Sequence, residues 1–370
     1  MKIILPLFIL VGFNLSAQIQ ADSITILNNP LTESSGLLVL DGTFITHNDS
    51  GNDAVLYEVD TLTGLPSRTV VVANATNIDW EDLAADADYL YVGDFGNNQG
   101  TRQNLRIYKI ALADYWASDT VTADTINFSY ADQTSFTPMP LQTNYDAEAL
   151  ICRGDSLFVF TKQWSNPGTR AYKIPKVPGT YSVSVYQTFS NFSGLVTGAD
   201  YYQNTVTGLN TLALTINLVS NPMIDFYLDL GGAFGGNGYY SFFATVYGSI
   251  QVEGIALLED KLYITSEAFA GQPGMLSRST IPPFMAIEEY ALAISLSIYP
   301  NPVAETMQVN LPQKEINTAG IYANDGKLVQ ELNPATLKNG SIRVVVPAGV
   351  YYVMIHFSDG SVGYAKFSKL

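Results

Sequence analysis

Three observations predict an all-β chain built from repeated four-stranded sheets. First, a short acidic or polar signature followed by small residues recurs at intervals of roughly 50 residues, the rhythm of a repeat fold. It begins at Glu33-Ser34-Ser35-Gly36, Asp79-Trp80-Glu81-Asp82, Asp146-Ala147-Glu148-Ala149, Thr197-Gly198-Ala199-Asp200 and Val252-Glu253-Gly254-Ile255. Second, four of the five starts lead through an apolar stretch and a tight turn into another apolar stretch. The turns are Leu40-Asp41-Gly42, Asp86-Ala87-Asp88, Arg153-Gly154-Asp155 and Leu258-Glu259-Asp260. Third, 23 Tyr and 18 Phe in a chain only 14% charged favour pleated, half-buried surfaces.

Third strands follow at Val55–Val59, Leu105–Ile110 and Thr169–Ile174, and fourth strands at Arg68–Val72 and Tyr181–Val185. Four antiparallel strands per unit predict a five-bladed β-propeller, or a six-bladed one if the long insertion within Asp114–Gln142 holds a further unit. A repeat-free β-sandwich is the competing architecture. The fifth unit lacks a fourth strand before the tail. The isolated strand Ser23–Leu27 would fill that place and leave no free sheet edge.

Met1-Lys2, the apolar run Ile3–Val11 and the small residue closing Leu15-Ser16-Ala17 predict a signal peptide over residues 1–17. The run is too short for a membrane span, which needs about 20 residues, and no other stretch approaches that length. The predicted body covers residues 18–297. Its sole cysteine, Cys152, allows no intrachain disulfide and reads as a small buried residue.

The chain carries a formal charge of −16, and the acidic excess lies in the body. Such a surface repels phosphate backbones, so nucleic acid is excluded as a partner. Cations and neutral or basic ligands are favoured. With two histidines, His47 and His356, and one cysteine, only oxygen ligands are plentiful for a metal. Strand starts and second loops of a propeller blade converge on one face. The strand starts bring Glu33, Asp79, Glu81, Asp82, Asp146, Glu148, Asp200 and Glu253 there, a ring of carboxylates suited to a hard cation, calcium first, with Glu33, Glu81, Glu148 and Glu253 as its predicted ligands. His47, Asp49, Asp94, Trp164 and Asp200 are the predicted ligand-binding residues. Mutual repulsion in such a ring of carboxylates would also raise the pKa of its members.

The last segment, residues 298–370, has its own pattern. Tyr299-Pro300-Asn301-Pro302 cannot be helical, because each proline lacks a backbone donor and restricts the residue before it. Asp325-Gly326-Lys327 is a tight-turn tripeptide between Ala319–Tyr322 and Leu328–Gln330, and Gly349-Val350-Tyr351-Tyr352 opens a further alternating strand. Tyr299, Pro300, Asn301, Pro302, Gly326, Lys327, Gly349 and Tyr351 in this order resemble the type A C-terminal sorting domain of the type IX secretion system. The resemblance implies a small β-sandwich, the type IX machinery as partner, and a route through the periplasm to the outer surface or medium. The body starts Glu-Gly-Ile and Glu-Ala-Leu resemble, more loosely, secreted propellers of the esterase-like phytase and calcium-dependent lactonase types. Two functions follow: an exported propeller that binds a glycan or protein, or a metal-dependent hydrolase of phosphoesters, esters or lactones at the channel mouth. The shortage of histidine and of any Gly-x-Ser-x-Gly elbow favours the first.

Overall fold

The computed structural model describes residues 17–189, 194–203, 210–217, 222–229, 233–234, 239–245, 251–281, 293–323, 328–358 and 361–370. The predicted signal peptide therefore lies outside the described residues, except for Ala17. The body is all-β, with one short α-helix among the described residues, Leu112–Ala117.

Five sheets make up the body, each built on an antiparallel meander. The first holds Ser34–Leu40, Thr43–Asn48, Val55–Val59 and Pro66–Val72. The second holds Trp80–Ala85, Tyr89–Asp94, Leu105–Ala111 and Asp124–Tyr130. The third holds Asp146–Arg153, Ser156–Lys162, Thr169–Pro175 and Val185–Phe189. The fourth holds Leu195–Gln203, Asn210–Asn217, Met223–Asp229 and Tyr239–Thr245. The fifth holds Val252–Leu258, Lys261–Ser266 and Met275–Thr280, completed by the N-terminal strand Asp22–Ile26. The first strands of the five sheets neighbour one another in cyclic order, with Val252–Leu258 packed back on Ser34–Leu40.

Two expectations change. Tyr181–Val185 is not one strand: Gly179–Val183 adds in parallel to Asp124–Tyr130 of the second sheet, and Val185–Phe189 closes the third. A single alternating run cannot reveal that the chain changes sheets at Ser184, because the outward–inward period continues across the break. The Asp114–Gln142 insertion holds no further sheet. It carries most of the helix, the strand Thr120–Val121 and the second sheet's own fourth strand. Thr120–Val121 lies in parallel on Pro66–Val72, and Ala17–Gln20 does the same on Tyr239–Thr245. These straps cover edges that would otherwise present unpaired backbone groups.

Burial explains the residue pattern. Asp146–Arg153 is buried at seven of its eight positions, whereas the outer strand Pro66–Val72 alternates. First strands are packed on both faces and need small side chains where they meet. A Cβ on Gly198 would stand 2.1 Å from the Glu253 carbonyl oxygen, and one on Gly254 would stand 2.6 Å from that of Ser35. The small residues of the repeat are there so that neighbouring first strands can approach.

Side chains then tie these strands together. Ser35 Oγ donates to the Glu81 carbonyl at 2.7 Å, and Thr197 Oγ1 to that of Val252 at 2.7 Å. Thr265 Oγ1 donates to the Ser35 carbonyl at 3.3 Å. Asp82, fully buried, accepts from its neighbour Leu83 N at 2.8 Å, from Leu150 N at 2.8 Å and from Ala199 N at 3.2 Å. One carboxylate thus joins the second sheet to the third and fourth. Asp200 accepts from Leu257 N at 2.6 Å and joins the fourth to the fifth.

The tail forms two sheets over a shared core. One runs Ala293–Ser295, Val362–Lys369, Gly349–Phe357, Ile316–Ala323, Leu328–Leu332, and the other Ile298–Tyr299, Thr306–Val309, Ser341–Arg343. Val303, Ile321, Val353, Ile355 and Phe367 fill the space between them. The Asn301 side chain accepts from Ser368 N at 2.9 Å and fastens the Pro-Asn-Pro segment to the last strand. Tyr299 is 78% exposed. Gly349 opens its strand, and the Tyr351 hydroxyl donates to the Pro347 carbonyl. Gly326 and Lys327 lie outside the described residues.

Candidate functional site

Every first strand of the body carries a register shift near its start, between Ser34 and Leu37, Trp80 and Asp82, Ala147 and Ala149, Val196 and Gly198, and Val252 and Gly254. A β-bulge inserts an unpaired residue and re-aims its side chain. The residues it releases are Ser35, Glu81, Glu148, Thr197 and Glu253. Glu33, expected in this set from repeat spacing, does not belong to it. The bulge puts Ser35 in the equivalent position, while Glu33 ends the short 3-10 turn Leu31–Glu33, is exposed, and accepts from Asn52 Nδ2 at 2.7 Å.

Ser35, Glu81, Glu148 and Glu253 line a cavity of about 230 Å³. Two further carboxylates, Asp49 and Glu267, reach it from segments following second strands, and Asp79 reaches it from two residues before Glu81. Lys162 and Trp164 complete the polar wall. Lys162 Nζ lies 3.1 Å from Glu148 Oε1 and 5.0 Å from the Trp164 ring centroid. The Trp164 indole N–H donates to Asp146 Oδ2 at 2.7 Å, and the other oxygen of Asp146 accepts from Asn97 N at 2.7 Å. Trp164 is therefore locked in orientation while still lining the cavity.

Three predicted ligand-binding residues sit elsewhere. His47 is fully buried beneath Trp80, its Nδ1 2.9 Å from the Asn48 carbonyl, and burial pushes its pKa down to about 4. It is a neutral interior residue. Asp94 is fully buried and paired with Arg102 at 2.8 Å. Asp200 lines a second cavity of about 410 Å³ at the far ends of the first strands, together with Cys152, Asp86 and Tyr202. Both Asp200 oxygens are already occupied by the Leu257 and Tyr201 amides. Asp49 and Trp164 line the carboxylate cavity.

Asp79, expected in the carboxylate ring, lines the cavity, and Asp146, also expected there, stands behind the wall and holds Trp164. Glu267 and Lys162 are further wall residues outside the expected ligand set. Glu267 is legible as the acidic residue that follows a second strand. Lys162 is not, because its role follows from strand pairing that brings it opposite Asp146.

Burial and like-charged neighbours hold these groups far from ordinary behaviour. Burial pushes Glu253 up to about 8, with Glu267 and Asp49 raising it further and Lys162 and Gln251 opposing. Glu267 is pushed up to about 7 by burial, then by Asp49 and Glu33, against Lys162 and Gln251. Burial and Glu148 raise Glu81 well above the carboxylate range. A carboxyl whose pKa is raised on folding binds more protons folded than unfolded, so its contribution to stability is lost as pH rises. For Glu253 and Glu267 the window runs from the unfolded value near 4.5 up to about 8. The unfolding free energy from urea titration should fall steadily across that range, by several kcal/mol in total. The profile should flatten in Glu253→Gln.

Comparison with known proteins addresses the tail and the fold. Residues 297–367 match the family described as the secretion system C-terminal sorting domain. The tail is a type IX sorting domain, and the protein is exported to the cell surface or beyond. No helix among the described residues is long and apolar enough to cross a membrane. No curated protein matches the chain. Among solved structures, an α-L-arabinofuranosidase from Podospora anserina in complex with cellotriose aligns over 72% of this chain and 96% of its own, at 10% identity and TM-score 0.43. The catalytic domain of a Coprinopsis cinerea GH62 α-L-arabinofuranosidase covers 72% and 97%, at 10% identity and TM-score 0.44. A GH43 endo-arabinanase from Bacillus licheniformis covers 71% and 96%, at 12% identity and TM-score 0.41. The esterase-like phytase and lactonase propellers are not among these three.

Proposed function

We propose that the protein is an exported five-bladed propeller that binds a glycan in the carboxylate cavity at one mouth of its axis. The cyclic packing of the five first strands supports the blade count, and the strand Asp22–Ile26 closes the ring through the fifth sheet. The observation that carries the binding reading is Trp164. An aromatic face fixed by a hydrogen bond to the buried Asp146, standing among acceptor-rich side chains, suits a polyhydroxylated ring: the apolar face stacks while hydroxyls donate to carboxylates. The charge excludes anionic sugars and favours neutral or amino ones.

A hydrolase built on a serine or histidine nucleophile finds no support among the described residues of this cavity. Ser35 is committed to the Glu81 carbonyl, and His47 does not line the wall. The chain lacking residues 1–17, screened on an array of neutral and amino oligosaccharides, should retain specific glycans. Trp164→Ala should weaken every one of them about tenfold or more, the loss of one well-formed stacking contact. Undiminished binding by that variant would refute the assignment of the cavity.

A further inference from the structure

Two sets of three carboxylates at the cavity wall or just behind it bring their oxygens within 4.8 Å of one another, Asp49–Asp79–Glu81 and Glu81–Asp146–Glu148. They are not equivalent. In the second set Asp146 has both oxygens occupied, by the Asn97 amide and the Trp164 indole, and Glu148 is neutralised by Lys162. In the first set the Asp79 and Glu81 side chains accept no hydrogen bond and form no ion pair with any described residue. The Asp49 carboxylate accepts only the adjacent Ser50 amide.

Glu81 carries the case. It is 7% exposed, lines the cavity, and has carboxylates as its strongest charged neighbours. A buried carboxylate normally has a partner, because its desolvation is otherwise uncompensated. The backbone is also cut back to make room for it. A Cβ on Gly96 would fall 1.9 Å from Glu81 Oε1 and 2.5 Å from Asp79 Oδ2.

We infer that Asp49, Asp79 and Glu81 form a binding site for a hard divalent cation of the calcium type. All-oxygen donors of high charge suit such an ion, which takes six to eight oxygens at about 2.3–2.6 Å. Three carboxylates leave coordination positions facing the cavity, where water or the vicinal hydroxyls of a sugar can complete the shell. The inference shares its cavity with the glycan reading and deepens it, but the ion has its own readout.

The test uses the chain lacking residues 1–17, stripped with chelator and titrated with calcium chloride by calorimetry and by thermal unfolding. Calcium at a hundredfold excess over its dissociation constant should raise the melting temperature by several degrees. Glu81→Gln should raise the calcium-free melting temperature, by relieving like-charge repulsion, and weaken calcium binding at least tenfold. Asp79→Asn should weaken it comparably, while Asp146→Asn should leave it within about threefold. No calcium binding up to 10 mM (a ceiling of about 3 kcal/mol of affinity) would overturn the proposal. So would binding unchanged by Glu81→Gln and Asp79→Asn together. Repeating the glycan array with calcium and with chelator separates the two readings. Calcium binding without any glycan signal leaves the cation site standing and removes the glycan role, and glycan binding without calcium binding does the reverse.

Discussion

Asp82→Ala is expected to destabilise the body by about 3–6 kcal/mol, because each buried donor left without an acceptor costs about 1–3 kcal/mol. The Asp82 carboxylate takes backbone N–H groups from Leu83, Leu150 and Ala199, and so holds first strands of three sheets at once. Burial pushes its pKa well up against the pull of these donors, so some of the loss is offset by removing a costly buried charge. The donors still win, since alanine supplies no acceptor. Asp82→Asn retains one acceptor oxygen and should lose less. Urea unfolding followed by tyrosine and tryptophan fluorescence reads both. An alanine variant within about 1 kcal/mol of the parent would mean that the strands hold their places by packing alone.

Lys162→Met should be comparably severe, and its severity should depend on pH. Lys162 is the cation shared by Glu148, Glu253, Asp146 and Glu81, and it is 14% exposed. Removing one partner of a buried pair costs about 3–5 kcal/mol, because the remaining charge is stranded. At pH 5 the carboxyls with raised pKa are protonated and no longer need the ammonium, so the deficit should shrink markedly. A deficit that is the same at pH 5 and pH 8 would show that Lys162 acts through its aliphatic stem against Trp164 and not through its charge.

The contrast between these two residues shows what the sequence could and could not disclose. Turn positions were legible because backbone geometry demands particular residues. Asp41 and Gly42 have φ of 48° and 77°, and Gly154 and Glu259 also turn with positive φ, where Asp, Asn and Gly are tolerated best. The repeated glutamate-plus-small signature was legible because it serves two close-range needs, first-strand approach and an inward-facing bulge. The bulge itself is not, so repeat spacing points to Glu33 in the first unit where the fold presents Ser35. A one-residue shift in register moves a side chain to the opposite face, and spacing between repeats does not resolve it. The roles of Asp82 and Lys162 are hidden for a different reason. Their partners lie 68 and 14 residues away, Leu150 and Glu148, and only the assembled sheets bring them together.

The same distinction separates His47, Asp94 and Asp200 from Asp49 and Trp164. All five are polar or aromatic residues in or beside strands, and sequence treats them alike. In the fold the first three turn inward and are consumed by local structure: His47 under Trp80, Asp94 on Arg102, Asp200 on two amides. Asp49 and Trp164 remain on the cavity wall.

The most direct test of the whole account is a crystal structure of the chain lacking residues 1–17, grown with calcium and soaked with the tightest oligosaccharide from the array. The account predicts five sheets around one axis, a sugar ring against Trp164 in the carboxylate cavity, and an ion among Asp49, Asp79 and Glu81. A sugar bound on an outer blade face or in the Cys152 cavity, with the Trp164 wall unoccupied, would contradict it.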